Sequence, residues 1–260
     1  MGPSTQRYGG NTACVEIGAD HDEVVVLDAG TGLREAGLVH AGDGRPVHVL
    51  LTHLHMDHIQ GLGFFRPLFE PGREVHIWGP PSTTLPLRAR LTRYLSPPLF
   101  PVRLTDLGSS VALHDVPVDP WRIGGLTISA AMVIHPGPTV GYRIAGDGAT
   151  AAYLPDHEPA LGGFGGLDWT SGSDLAREVD LLLHDGQYSA AEYVQRVGWG
   201  HSSIEQAVSF ADLVEARCLA LIHHEPEHSD DQIDHLLALA RTMLPPERVI
   251  ATFDGLTLDV

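Results

Sequence analysis

The chain has 260 residues, with 16 Lys+Arg against 33 Asp+Glu and a formal charge of −17. At 43% hydrophobic and 19% charged its composition is globular, which excludes disorder, and the acidic balance argues against affinity gained by neutralising phosphates. Two cysteines exclude a disulfide scaffold and a thiolate zinc cluster; with no apolar run of membrane-span length and no apolar core in MGPSTQRYGGNT, the expectation is a cytoplasmic protein without membrane contact.

In chain order, residues 24–27, 47–51 and 75–77 read as short buried strands. Residues 80–101 are proline-rich, with only 87–95 fit for a helix. Residues 139–145 and 150–154 flank Gly146-Asp147-Gly148 and predict a hairpin. Residues 162–172 are glycine-rich and read as a mobile surface loop. Two further buried strands are expected at 179–183 and 218–222. Between them Ile204, Ala207, Val208, Ala211 and Val214 share one helical face, with Ser202 and Glu205 as its capping box. Ile233, Leu236, Leu237 and Ala240 form a second stripe, which Pro245-Pro246 ends. Residues 249–253 and 256–260 around Asp254-Gly255 predict another hairpin. The pattern is α/β with many antiparallel pairs and outer helices. No composition break marks a boundary, so residues 1–260 are expected to form a single domain.

Sixteen histidines are a heavy load beside 16 Lys+Arg, and neutral imidazole is the commonest protein ligand for metals. Thr52-His53-Leu54-His55-Met56-Asp57-His58 follows directly on the strand at 47–51. His53 and His55 are two apart, so an extended chain points both to one side. Asp57 and His58 come where the chain turns into a helix, which aims them at a second point nearby. Four ligand-type side chains in six residues suit two adjacent metal ions better than one. Other strand ends offer more ligands: His135 after 128–134, Asp156 after 150–154, and His223 or His224 after 218–222. These adjacent histidines face opposite ways in an extended chain, so one of them is the ligand. Asp156 can bridge two cations, one on each oxygen. His157 and Glu158 beside it read as cavity-rim or solvated-loop residues. His21, His40, His48, His76, His114, His228 and His235 lack a motif and read as surface or packing residues.

The HxHxDH box, the later His, the later Asp and the terminal His resemble the metallo-β-lactamase superfamily of binuclear hydrolases, over nearly the whole chain. Asp28, in Asp28-Ala29-Gly30-Thr31-Gly32, looks like that superfamily's early aspartate, which supports the first histidines. The resemblance implies a four-layer αββα sandwich with its site at the strand ends. It implies that His53, His55 and His135 hold one metal and Asp57, His58 and His223 the other, with Asp156 and a hydroxide bridging them. Two divalent ions are implied, zinc by expectation, although such His/Asp sites also take Mn²⁺ or Fe. The C-terminal third, with His184-Asp185-Gly186-Gln187 and Gly200-His201-Ser202-Ser203, resembles the branch containing ribonuclease Z and small-molecule phosphodiesterases. In that branch a carboxylate and a histidine shuttle a proton, and Asp185 and His201 are the matching positions. Asp stands here where ribonuclease Z usually has Glu. A homodimer is a family-level expectation.

The expected catalytic residues are thus His201, Asp185 and Asp57, in a metal-dependent phosphodiesterase for small, including cyclic, phosphodiesters. Long RNA and DNA are expected to be excluded, because the net charge repels them and no segment matches the long arm of ribonuclease Z. Phe64, Phe65, Phe100 and Trp199 are candidates for a wall against a base or sugar, with core packing as the other reading. The alternative enzyme is a lactonase or thioesterase of the same superfamily. The alternative of another class is a non-catalytic metal-binding or sensing module.

Overall fold

The computed structural model describes residues 2–18, 22–162 and 170–260. His21 and most of the glycine-rich stretch expected at 162–172 lie outside them. The chain divides into two compact units: Asn11–Pro117 with Trp121–Gly125, and Leu126–Val260 with residues 2–10 and Val118–Pro120.

The first unit holds a sheet in the order β1 (Val15–Ile17), β2 (Val24–Leu27), β3 (Val47–Leu50), β4 (Glu74–Gly79) and β5 (Ser110–Asp115). β1 runs antiparallel to β2 and the other pairs are parallel. A short β6 (Trp121–Ile123) completes the strands of this unit. The VVVL of β2 and the VHVL of β3 are buried throughout, as central parallel strands covered on both faces must be. Leu33, Phe65, Leu68, Ile77 and Leu91 join Val26 and Val49 in its core, supplied partly by α1 (Leu33–Val39). The helix α2 (Met56–Ile59) follows β3 after a short turn, and α3 (Leu87–Leu91) lies within the proline-rich stretch. Leu27 stands opposite Leu50 in the register, so the chain leaves β2 and β3 side by side, at Asp28 and at Leu51-Thr52.

In the second unit β7 (Leu126–Met132), β8 (Val140–Gly146) and β9 (Ala149–Leu154) form an antiparallel meander. From β9 onward the pairs are parallel, through β10 (Leu181–Asp185) and β11 (Cys218–Ile222) to β12 (Val249–Ala251). The expected β8–β9 hairpin forms, with Asp147 and Gly148 both at positive φ, as the tightest hairpin turns require. Short helices α4 (Ser173–Ala176) and α5 (Ala190–Tyr193) precede the longer α6 (Ile204–Leu213) and α7 (Asp230–Met243). The apolar face of α6 packs Ile204, Ala207, Val208 and Ala211 with Leu182, Leu219 and Leu221 of the sheet. Because His184 pairs with Leu154 and Asp185 with Ile222, the C-terminal ends of β9, β10 and β11 are level. In open parallel sheets that edge is where ligands bind.

Three expectations need correction. The second hairpin does not form: Asp254-Gly255 turns, but residues 256–260 are no strand. Asp254 instead accepts from Gly10 N–H (3.0 Å) and donates its own N–H to Tyr8 O (3.0 Å), tying the tail to the first residues. The strand expected at 179–183 runs two residues later, which brings Asp185 into the strand itself. The cap of α6 is Ser203 with Gln206, one residue later than the Ser202–Glu205 box. Ser202 is engaged elsewhere: its hydroxyl donates to His157 O (2.6 Å) and its N–H to Asp185 Oδ1 (3.1 Å).

Candidate metal centre

In the first unit His53 and His58 are buried at the end of β3, with the exposed His55 beside them. The His53 ring centroid lies 4.4 Å from that of His55 and 4.2 Å from that of His58. Asp28, fully buried, organises this group. Its Oδ1 accepts from Thr52 N–H (2.8 Å) and its Oδ2 from His58 Nδ1–H (2.8 Å). The Thr52 hydroxyl donates to the same carboxylate and therefore accepts from His53 Nδ1–H (3.1 Å). Both rings are thus fixed with Nδ1 protonated, and Nε2 is the atom that could meet a metal. Asp57 Oδ2 stands 3.3 Å from His58 Nε2. The loop after β2 lies directly on this turn: Ala29 N–H donates to His58 O and Gly61 N–H to Ala29 O, each at 2.8 Å. A Cβ on Gly61 would strike the Gly30 carbonyl, so that contact requires glycine.

In the second unit His135, Asp156, His201 and His223 gather at the level strand ends. Asp156 Oδ2 lies 3.7 Å from His135 Nε2 and 3.9 Å from His201 Nε2, and its Oδ1 lies 3.5 Å from His223 Nε2. His135 Nδ1–H donates to Gly200 O (2.9 Å), which again turns Nε2 into the atom that could meet a metal. His201 Nδ1–H donates to Asp185 Oδ2 (2.8 Å), and its ring stacks on that of His223 at 5.1 Å. Burial works against a charged His201. The charge and hydrogen bond of Asp185, with Asp156 behind them, outweigh it, so the pKa of His201 is raised. His224 turns elsewhere: its Nε2–H donates to Thr252 O (3.0 Å), and burial pushes its pKa down to about 4. Asp28 and His223 both sit in the left-handed region, at φ 59°, which side-chain-bearing residues rarely occupy.

Each unit's donor set suits a divalent cation. Imidazole and carboxylate oxygen are ligands that zinc accepts, and a tetrahedral site with bonds of about 2.1 Å has ligand-to-ligand edges of about 3.4 Å. The 3.5 and 3.7 Å separations around Asp156, and the 3.3 Å between Asp57 and His58, are close to that edge. Asp185, His201 and His223 also offer atoms within 4.8 Å of one another.

Sequence reasoning missed how much of the second unit is scaffold. His157 and Glu158 are fully buried, not at a rim or in a solvated loop. Ser171 Oγ–H donates to His157 Nε2 (3.1 Å), His157 Nδ1–H to His184 Nε2 (2.9 Å), and His184 Nδ1–H to Asp185 O (2.8 Å). Burial lowers the pKa of both histidines, so the relay is neutral. The clue in the sequence was three ligand-type residues in a row after a buried strand. Of the aromatic wall candidates, Phe65 belongs to the core of the first unit and Phe100 packs against it, while Phe64 and Trp199 are exposed.

A family model described as the Beta-lactamase superfamily domain matches residues 23–224, and the chain belongs to that superfamily. Ribonuclease Z of Myxococcus xanthus is 29% identical, over 92% of this chain and 89% of its own length. Among solved structures, human tRNase Z, short form, superposes with a TM-score of 0.66 at 19% identity, covering 98% of this chain and 96% of its own. A diphosphatase from the PhnP family gives 0.67 at 22% identity, covering 96% of this chain and 84% of its own. The mixed α/β fold with two sheets is therefore the metallo-β-lactamase fold, resembling its ribonuclease Z-like branch, and the chain is a metal-dependent hydrolase. No helix among the described residues is long and apolar enough to cross a membrane.

The match to ribonuclease Z overturns the expected exclusion of long RNA. The physical reason lies in range. Exposed charges act over about 8–10 Å at ordinary salt, so the −17 of the whole chain does not set the field where a phosphate would bind.

Proposed function

We propose that this hydrolase cleaves phosphodiesters, with small linear and cyclic ones as substrates and RNA 3′ ends tested beside them. His53, His55 and His135 are proposed to hold one divalent cation and Asp57, His58 and His223 a second, with Asp156 shared and zinc as the metal. Cations bound there supply Lewis-acid chemistry, making hydroxide available near neutral pH and stabilising charge on phosphoryl oxygens.

The observation that carries the reading is the His201–Asp185 pair. An alkoxide is a poor leaving group as an anion, so phosphodiester cleavage needs a positioned acid. Asp185 accepts four N–H groups, from His157, Gln187, His201 and Ser202, and is thereby immobile. It holds the His201 ring with Nδ1 protonated and favours the charged form, which leaves the Nε2 proton for the leaving oxygen. A thioester or lactone requires less from such an acid.

Turnover of bis(p-nitrophenyl) phosphate by the zinc- or manganese-loaded protein tests this, beside a thioester, a lactone and a precursor tRNA. Phosphodiester turnover well above that of the other two classes is expected. Preference for the thioester or lactone would select the other enzyme. Metal binding with no turnover of any substrate would make the chain a binding module.

A further inference from the structure

Glu158 is a buried carboxylate that the proposed chemistry does not use, yet its contacts reach the principal residues of the second unit's site. Its Oε1 accepts from the Tyr193 hydroxyl and from Gly198 N–H, each at 2.8 Å, and its Oε2 from Gly200 N–H at 2.6 Å. Its own N–H donates to Ile134 O (3.0 Å), the residue before His135. The Gly200 carbonyl then accepts from His135 Nδ1–H, which closes a ring of contacts through Ile134, Glu158, Gly200 and His135. The turn it grips, 198–200, leads directly into His201, and Asp156 stands two residues before Glu158. Gly200 adopts φ 92°, and a Cβ there would collide with the His135 and Pro136 rings, so the turn is pressed against the ligand.

We infer that Glu158 is a positioning residue, whose carboxylate locks the 198–200 turn so that one backbone carbonyl orients metal ligand His135 while the next residue, His201, is delivered to Asp185. This rests on the roles proposed above for His135 and His201. A carboxylate is suited to the task because it accepts only. Three donors converge on its two oxygens, and an amide of the same shape would oppose one of them with its own N–H. Carboxylate acceptors also make the stronger hydrogen bonds, which keeps a glycine-flanked turn in a single conformation.

The test compares Glu158→Gln and Glu158→Ala with Tyr193→Phe, which removes one donor but leaves both grips on the turn. In the metal-free protein, the hydrogen-bonded His135 Nδ1–H should give a slowly exchanging proton resonance. It should vanish in the Glu158 variants and persist in Tyr193→Phe. Zinc affinity, read by competition with a chelator, should fall about 10–100-fold in Glu158→Gln. In the loaded protein, kcat for an alkyl phosphodiester should fall by a similar factor with KM nearly unchanged, and the loss should shrink for p-nitrophenolate. Wild-type resonance, affinity and kcat in Glu158→Gln would overturn the assignment, as would equal losses in Tyr193→Phe or failure of both Glu158 variants to fold. If the wild-type protein cleaves no phosphodiester, the functional reading fails alone, since the resonance and the zinc affinity still decide what Glu158 does.

Discussion

In the first unit four ligand-type residues lie within six consecutive positions, and one buried carboxylate, Asp28, with the Thr52 hydroxyl, fixes two of their rings. In the second unit His135, Asp156, Asp185, His201 and His223 come from separate strand ends and a loop. They are held by a neutral histidine relay, a clamped turn and a serine displaced from its capping role. Local chain geometry builds the first group, so its motif is compact and its support slight. Parallel register levels the strand ends beside Asp156, Asp185 and His223, while His135 and His201 are oriented by Gly200 and Asp185, partners distant in sequence. The compact group should depend on a single supporting residue, while the dispersed group should divide its roles residue by residue.

The largest expected effect tests that division of roles. His201→Ala should cost about 10²–10⁴-fold in kcat, the range for a positioned acid, while metal content measured by elemental analysis stays unchanged. The loss should be smaller for p-nitrophenolate than for an alkyl or ribose leaving group. Metal release on this substitution would make His201 a ligand and blur the contrast between scaffold and ligands in the second unit.

Asp28→Asn comes next and probes the compact group. Asparagine tolerates the left-handed backbone at this position, so the change isolates the acceptor. An amide cannot accept from Thr52 and His58 as the carboxylate does, and metal affinity should drop about 10–100-fold, measured by chelator competition. Wild-type affinity would show that the box needs no support.

The adjacent pair at the end of β11 gives a smaller, crossed effect. His223→Ala should weaken metal binding with little change in melting temperature. His224→Ala should leave metal content intact and cost about 1 kcal/mol through the bond lost to Thr252, seen in denaturant unfolding. The reverse pattern would exchange their roles.

The mildest effect lies away from both groups, on the first unit's sheet. His48 accepts from Trp78 Nε1–H (3.2 Å) and stacks on His76, which hydrogen-bonds His114. Burial first, then its two histidine neighbours, push the His48 pKa down to about 4. The unfolded chain, with an ordinary histidine pKa of about 6.5, therefore binds more protons between those values, and stability should fall as the pH drops through that window. His48→Gln should flatten this part of the melting temperature–pH curve, and an unchanged curve would remove His48 as a cause.

How much the sequence disclosed follows the same contrast. The box at 53–58 was legible because its ligand-type residues are neighbours and its strand is buried throughout. Asp156 and His135 could be picked out as residue types at strand ends, His201 through the resemblance of its Gly200-His201-Ser202-Ser203 element, and the β8–β9 turn from its glycines. The choice between His223 and His224 was open, because alternation in an extended chain separates two neighbours without saying which side faces the site. Two tertiary contacts separate them in the structure: His223 Nε2 lies 3.5 Å from Asp156 Oδ1, and His224 Nε2–H donates to Thr252 O. The relay through His157 and His184 was hidden for a similar reason: polar residues after a strand read as solvated until neighbouring strands cover them. The tail at 256–260 alternates like a strand, but it does not pair there, and β12 stays at the edge of its sheet.

The backbone at His223 also sets how this chain would respond to artificial selection. A non-glycine residue held at φ 59° gives up about 1–2 kcal/mol of conformational energy, so the main chain at this position would be more comfortable as glycine. A library screened for heat tolerance alone would accumulate glycine at position 223 and discard the imidazole with it. Thermostabilisation of this protein therefore needs turnover as a second filter, because one of the easiest gains in robustness lies on a residue proposed above to hold metal.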